Sequence, residues 1–156
     1  DANSTDYDLD SAAGEVVLAP RAGVGSIDVI DRHADLSGHH AQEGIKVTSI
    51  FAGARKNDLS PHAPLSEAAA DRLQAFVDRA YQQFVDTVAE HRGLRPEAIR
   101  ATEADLYHGS EALAVGLADR LETPQAAINR IASDLARPRP AGVQHRARAL
   151  GLALEL

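Results

Sequence analysis

The chain has 156 residues, a formal net charge of −7, 44% hydrophobic and 25% charged residues. That is one domain of ordinary size with enough apolar content for a core, so a disordered or fibrous chain is excluded. Cysteine is absent, which removes disulfides, thiolate zinc sites and a cysteine nucleophile. The acidic balance argues against a nucleic-acid-binding surface. No apolar run approaches the roughly 20 residues of a membrane-spanning helix. The chain starts at Asp1, with neither Met nor a signal-peptide core, and the expectation is a processed product or a piece of something longer.

In chain order, a short helix is predicted after Ser4, with Asp6 near its positive end. Glu15–Ala19 and Ser26–Ile30 are predicted strands joined through a Gly23-Val24-Gly25 turn. Residues 31–44 are polar and form a loop or a short helix. Ile45–Phe51 alternates and predicts a third strand, followed by a loop over 53–64. The strongest signal is a helix from Ser66 to Arg92, with Ser66 as N-cap and Gly93 as the stop. Its apolar stripe, Leu73, Phe76, Val77, Ala80, Tyr81, Phe84, Val85 and Val88, is assigned to the core. A helical turn at 96–100 and a short helix over 110–115 precede a helix opened by Thr123-Pro124. That last helix should turn Ile128, Ile131 and Leu135 inward. Residues 137–156 carry four Arg, Pro138 and Pro140, and are expected to be a basic flexible tail or linker.

Few residue patterns here could carry chemistry. Asp31, His33, Asp35, His39 and His40 crowd together, but their spacing matches no metal motif, and a solvated segment explains them. Gly23-Val24-Gly25-Ser26 lacks the ending of a phosphate loop. Only two of the 16 basic residues are lysine, Lys46 and Lys56. Lysine can act as a base when burial or a nearby cation lowers its pKa, whereas arginine cannot. Lys56 follows the third predicted strand, where α/β proteins place catalytic groups. Pattern alone leaves it either a surface lysine or the base of a Ser–Lys pair, and selects no serine.

Longer stretches are more specific. SAAGEVVLAPRAGVGSIDVI (11–30), GIKVTSIFAGARKNDLSP (44–61), PLSEAAADRLQAFVDRAYQQFVDTVAEHRGL (64–94) and ATEADLYHGSEALAVGLADRLETPQAAI (101–128) follow one another in register. Together they resemble the serine peptidases of the signal peptide peptidase A type, most strongly the phage head-maturation branch. The resemblance implies a crotonase/Clp-protease-like α/β spiral, here its C-terminal half with a long amphipathic helix, over residues 1–136. It implies peptide hydrolysis by a Ser–Lys dyad without metal or cofactor. The nucleophile falls on Ser4, the general base on Lys56, 52 residues downstream, and the serine that orients the lysine on Ser26. The resemblance also implies a Gly-Gly oxyanion segment ahead of Asp1. A peptide or protein substrate, a homo-oligomer and a capsid or scaffold partner follow from it, in a bacterial cytoplasm or a phage prohead. Asp6, Asp8 and Asp10 stand where the family usually has small or apolar residues, and Asp28 where it usually has Gly. The alternative is a catalytically inactive assembly module that keeps part of the fold.

Overall fold

Two short sheets and the end of one long helix enclose the core. The computed structural model describes residues 2–137. Strand β1 (Ala2–Asn3) leads into helix α1 (Thr5–Ser11), followed by β2 (Val17–Leu18) and β3 (Gly23–Gly25). Helices α2 (Ser37–Gln42), α3 (Glu67–Arg92) and α4 (Pro96–Arg100) come next. Strand β4 (Leu106–His108), α5 (Ser110–Ala114), β5 (Arg120–Leu121) and α6 (Pro124–Ala136) complete the order. In one sheet β3 is central, parallel to β1 and antiparallel to β4; in the other β2 and β5 run parallel. This mixture of strands and helices, with α3 as its longest element, agrees with the α/β expectation.

Helix α3 begins and ends where its capping residues dictate. The Ser66 hydroxyl accepts from the Ala69 amide at 3.2 Å, and Gly93 closes the last turn in the left-handed conformation. Its apolar stripe is core only near the C-terminal end, where Val85, Val88 and Ala89 are buried against Tyr7, Ile99 and Leu117. Each of the two fully buried valines contributes roughly 1.5–3 kcal/mol. Phe76, further up the stripe, is 54% exposed. The reason is positional, since α1 and α4 are the helices packed against α3.

Other expectations shift in the structure. The second strand lies on Gly23–Gly25, the segment expected to turn, and not on Ser26–Ile30. The glycines flanking Val24 admit β4 closely, since a Cβ at Gly23 would meet the His108 ring and one at Gly25 the Asp105 carbonyl oxygen. Ile45–Phe51 forms no strand, and Ile50 is 96% exposed. A strand is defined by its ladder, and no described segment pairs with this one. Strands β1, β4 and β5, of two or three residues, are too short for a period of two to reveal them. Helix α6 presents Ile128, Ile131 and Leu135 outward, with Leu135 72% exposed. Ion pairs attach it instead: Arg130 reaches Glu15 at 2.8 Å and Glu122 at 3.0 Å. Of the expected tail, only Arg137 is among the described residues, paired with Asp134 at 3.2 Å.

A polar clamp holds the end of α3 to the loop before β5. Arg92 grips Asp119 through two hydrogen bonds of 2.9 and 2.7 Å and also donates to the Gly116 carbonyl at 3.1 Å. The Val16 amide donates to the same carboxylate at 2.7 Å. Beside it the Tyr7 hydroxyl donates to the Leu117 carbonyl at 2.7 Å, and burial pushes the phenol up to about 12. Arg92 holds the Asp119 carboxyl below its ordinary value. A depressed carboxyl stabilises the fold fully above the unfolded value of about 3.9, and that contribution is lost as pH falls through the folded value. Asp119→Asn should therefore flatten the fall of Tm below about pH 4. An unchanged acid limb in that variant would show that the clamp does not couple to protons.

Candidate active site

Ser4 sits in the turn from β1 into α1, with φ 53° and ψ −126°. That is a costly backbone for a residue with a Cβ, on the order of 1–3 kcal/mol. Gly109 makes the corresponding turn from β4 into α5 with φ 51° and ψ −123°. The same geometry thus occurs twice, once with the residue that adopts it freely and once with serine. The Ser4 hydroxyl does not offset the cost by capping. Ser66 and Thr123 cap their helices through their side chains, whereas Ser4, also at an N-cap, makes no such bond. A strained strand-to-helix turn that leaves a serine hydroxyl free is how a nucleophile is presented.

Glycine should relieve this strain. Ser4→Gly is expected to remove any chemistry of the hydroxyl while stabilising the chain by about 1 kcal/mol, roughly 2–4 °C in Tm. A Tm below that of the parent sequence would show that serine suits this backbone.

The sheet brings Ser26 beside Ser4. In the parallel register Asn3 faces Gly25, so the two serines are the next residues on adjacent strand ends. The Ser4 amide donates to the Gly25 carbonyl at 3.0 Å, and the Ser26 amide to the Asp105 carbonyl at 3.0 Å. Ser26 also has a positive φ, 51°. Lys56 is on an exposed turn whose backbone closes from the Lys56 amide to the Gly53 carbonyl at 3.0 Å, and it forms no hydrogen bond to either serine. Its ammonium makes no hydrogen bond or ion pair among the described residues. That placement follows from the unpaired segment 45–51, which has no ladder to carry the turn towards the serines.

Ser4 opens onto a cavity of about 430 Å³ between the start of α1, residues 28–30 and the middle of α3. Val29, Ile30, Ala80 and Phe84 supply apolar walls, and Asp8, Asp28, Gln83 and Thr87 supply polar groups. Its volume lies within the roughly 300–1,000 Å³ typical of ligand pockets.

The family profile for peptidase family S49 matches residues 2–137. The chain belongs to peptidase family S49. Among its relatives, the head-tail preconnector protein of Enterobacteria phage P21 is 33% identical over 127 residues, 81% of this chain and 25% of that protein. The capsid assembly protease of Escherichia phage lambda is 33% identical over 120 residues, 77% of this chain and 27% of that protein. The S49 chain therefore spans about a quarter of the length of these phage relatives. A putative signal peptide peptidase A of Enterococcus faecium is 28% identical over 129 residues, 82% of this chain and 38% of that protein, so the expected kinship with signal peptide peptidase A and phage capsid proteases holds.

Elsewhere in the S49 chain, the His-rich segment gathers around the loop at Ser60. His33 Nε2 lies 3.0 Å from the Ser60 carbonyl oxygen, and the His40 and His62 rings are 5.0 Å apart. Among the described residues no three His, Asp or Glu side chains form a metal-binding group. No described helix is long and apolar enough to cross a membrane. Sequence reasoning missed the backbone of Ser4 and the cavity beside it. The first had a signal, because Asn3-Ser4-Thr5 and His108-Gly109-Ser110 are both strand-to-helix turns, but β1 and β4 were too short to show it.

Proposed function

We propose that this S49 chain carries the nucleophile and general base of a serine endopeptidase, with Ser4 and Lys56 in those roles. What supports the reading is the strained, uncapped Ser4 at the mouth of a cavity. A neutral Lys56 takes the proton of Ser4 Oγ as the oxygen attacks a peptide carbonyl carbon. Collapse of the tetrahedral adduct breaks the C–N bond, and the lysine proton passes to the departing amine. Water then cleaves the acyl ester, with Lys56 again as base. Ser26, on the neighbouring strand end, orients the lysine amine. Lys56 reaches the serines when segment 45–51 gains a strand partner, which draws the turn after it towards Ser4. The exposed Ile45, Val47, Ile50 and Phe51 are the apolar edge that such pairing would cover.

The wider architecture is then the crotonase/Clp-like spiral, assembled as a homo-oligomer with oxyanion donors from sequence ahead of Asp1. By analogy with the phage relatives, the substrates are capsid or scaffold proteins inside a bacterial cell or a prohead. An acyl group trapped by acid quench and mapped by mass spectrometry to Ser4, in the natural full-length gene product, tests the reading. An acyl group on any other residue would overturn it. The exposed position of Lys56 favours a second reading, an inactive assembly module. On that reading no peptide is cleaved, and Ser4→Ala alters nothing but stability.

A further inference from the structure

The cavity beside Ser4 has a charge character that peptide hydrolysis by itself does not require. Two of its lining residues are carboxylates, Asp8 on α1 and Asp28 just beyond β3, and among the described residues no Lys, Arg or His lines it. Neither carboxylate forms an ion pair among the described residues. Asp8 Oδ1 is shielded from solvent and has no hydrogen-bond partner among the described residues. A buried carboxylate oxygen left unmatched costs free energy that a cationic donor recovers. The remaining wall, Val29, Ile30, Ala80 and Phe84, is apolar. An apolar wall leading to paired acids fits one kind of group, an aliphatic stem ending in a positive charge.

Resting on Ser4 as nucleophile, the geometry points to this cavity as a specificity pocket for a lysine or arginine side chain of the substrate polypeptide, with Asp8 and Asp28 as the recognition groups. The stem lies along Val29, Ile30 and Phe84 while the charged head reaches the two carboxylates. Gln83 and Thr87 on α3 offer further acceptors. Because Ser4 is part of the same wall, a side chain seated here places its own backbone beside the hydroxyl. Both acids are needed in this account. Asp8 alone is a helix-start acid near the favourable end of α1; Asp28 comes from a different segment and faces the same space.

The pocket is tested by paired peptides that differ only in lysine against norleucine, which keeps the stem and removes the charge. With the Ser4→Ala full-length gene product, the lysine peptide is expected to bind roughly tenfold to a hundredfold tighter. In Asp8→Asn/Asp28→Asn on the same background that ratio should fall to about one, and Asp28→Lys should invert it. Equal binding of the two peptides, or a preference that survives the double asparagine variant, would overturn the pocket whatever the catalytic residues are. With Ser4 intact, the turnover ratio for the same pair should follow the binding ratio. Lysine-selective binding without any turnover would sink the peptidase reading and leave the pocket standing. If Lys56 is the cation that fills the cavity, Lys56→Ala should raise affinity for lysine and norleucine peptides alike, and the pocket assignment fails.

Discussion

Ser4→Ala and Lys56→Ala are each expected to lower peptide hydrolysis by the natural full-length gene product at least about a thousandfold, and Lys46→Ala to leave it unchanged. The proposed nucleophile and base would act as one unit, so the double variant should be little worse than either single one. Lys46 is the internal control because it is the only other lysine in the chain and lies ten residues away on the same exposed segment. Loss of solubility would show as aggregation in all three variants, whereas loss of the dyad spares Lys46→Ala. Hydrolysis that survives Lys56→Ala would remove Lys56 from the mechanism, since arginine cannot take its place as a base.

The second large effect concerns the backbone that holds Ser4. Gly25→Ala is expected to destabilise the chain by about 3 kcal/mol or more, a fall of roughly 6–12 °C in Tm. A Cβ at Gly25 would stand 2.3 Å from the Asp105 carbonyl oxygen, and the residue has φ +133°. Backbone, not a movable side chain, is what it meets, so strands β3 and β4 must separate. The same glycine's carbonyl accepts the Ser4 amide, so separation also shifts Ser4, the proposed nucleophile. Activity should therefore fall with stability. Gly14→Ala is the matched control, because a Cβ there meets nothing within 4 Å. Equal melting temperatures for the two variants would show that the β3–β4 approach is not tight.

The two predictions rest on different kinds of information. The dyad comes from the resemblance to signal peptide peptidase A-type peptidases, which points to Ser4 and Lys56 in residue order where spacing by itself selects no serine. The Gly25 effect comes from a through-space approach of residues 25 and 105, which no local pattern contains.

The sequence by itself determined the family, the start and stop of α3 through Ser66 and Gly93, and the identity of Ser4, Ser26 and Lys56 as candidates. These depend on local chemistry: a cap bonds an amide three residues away, and a motif is a string. Only the tertiary structure decided which apolar residues are covered. The stripe of α3 is continuous in sequence, yet packing covers Val85, Val88 and Ala89 and leaves Phe76 exposed, because burial depends on what lies opposite. The same physics governs the serines and the lysine. Ser4 and Ser26 follow paired positions because β1 and β3 share a hydrogen-bonded ladder, and Lys56 stays on an exposed turn because the segment before it joins no ladder among the described residues.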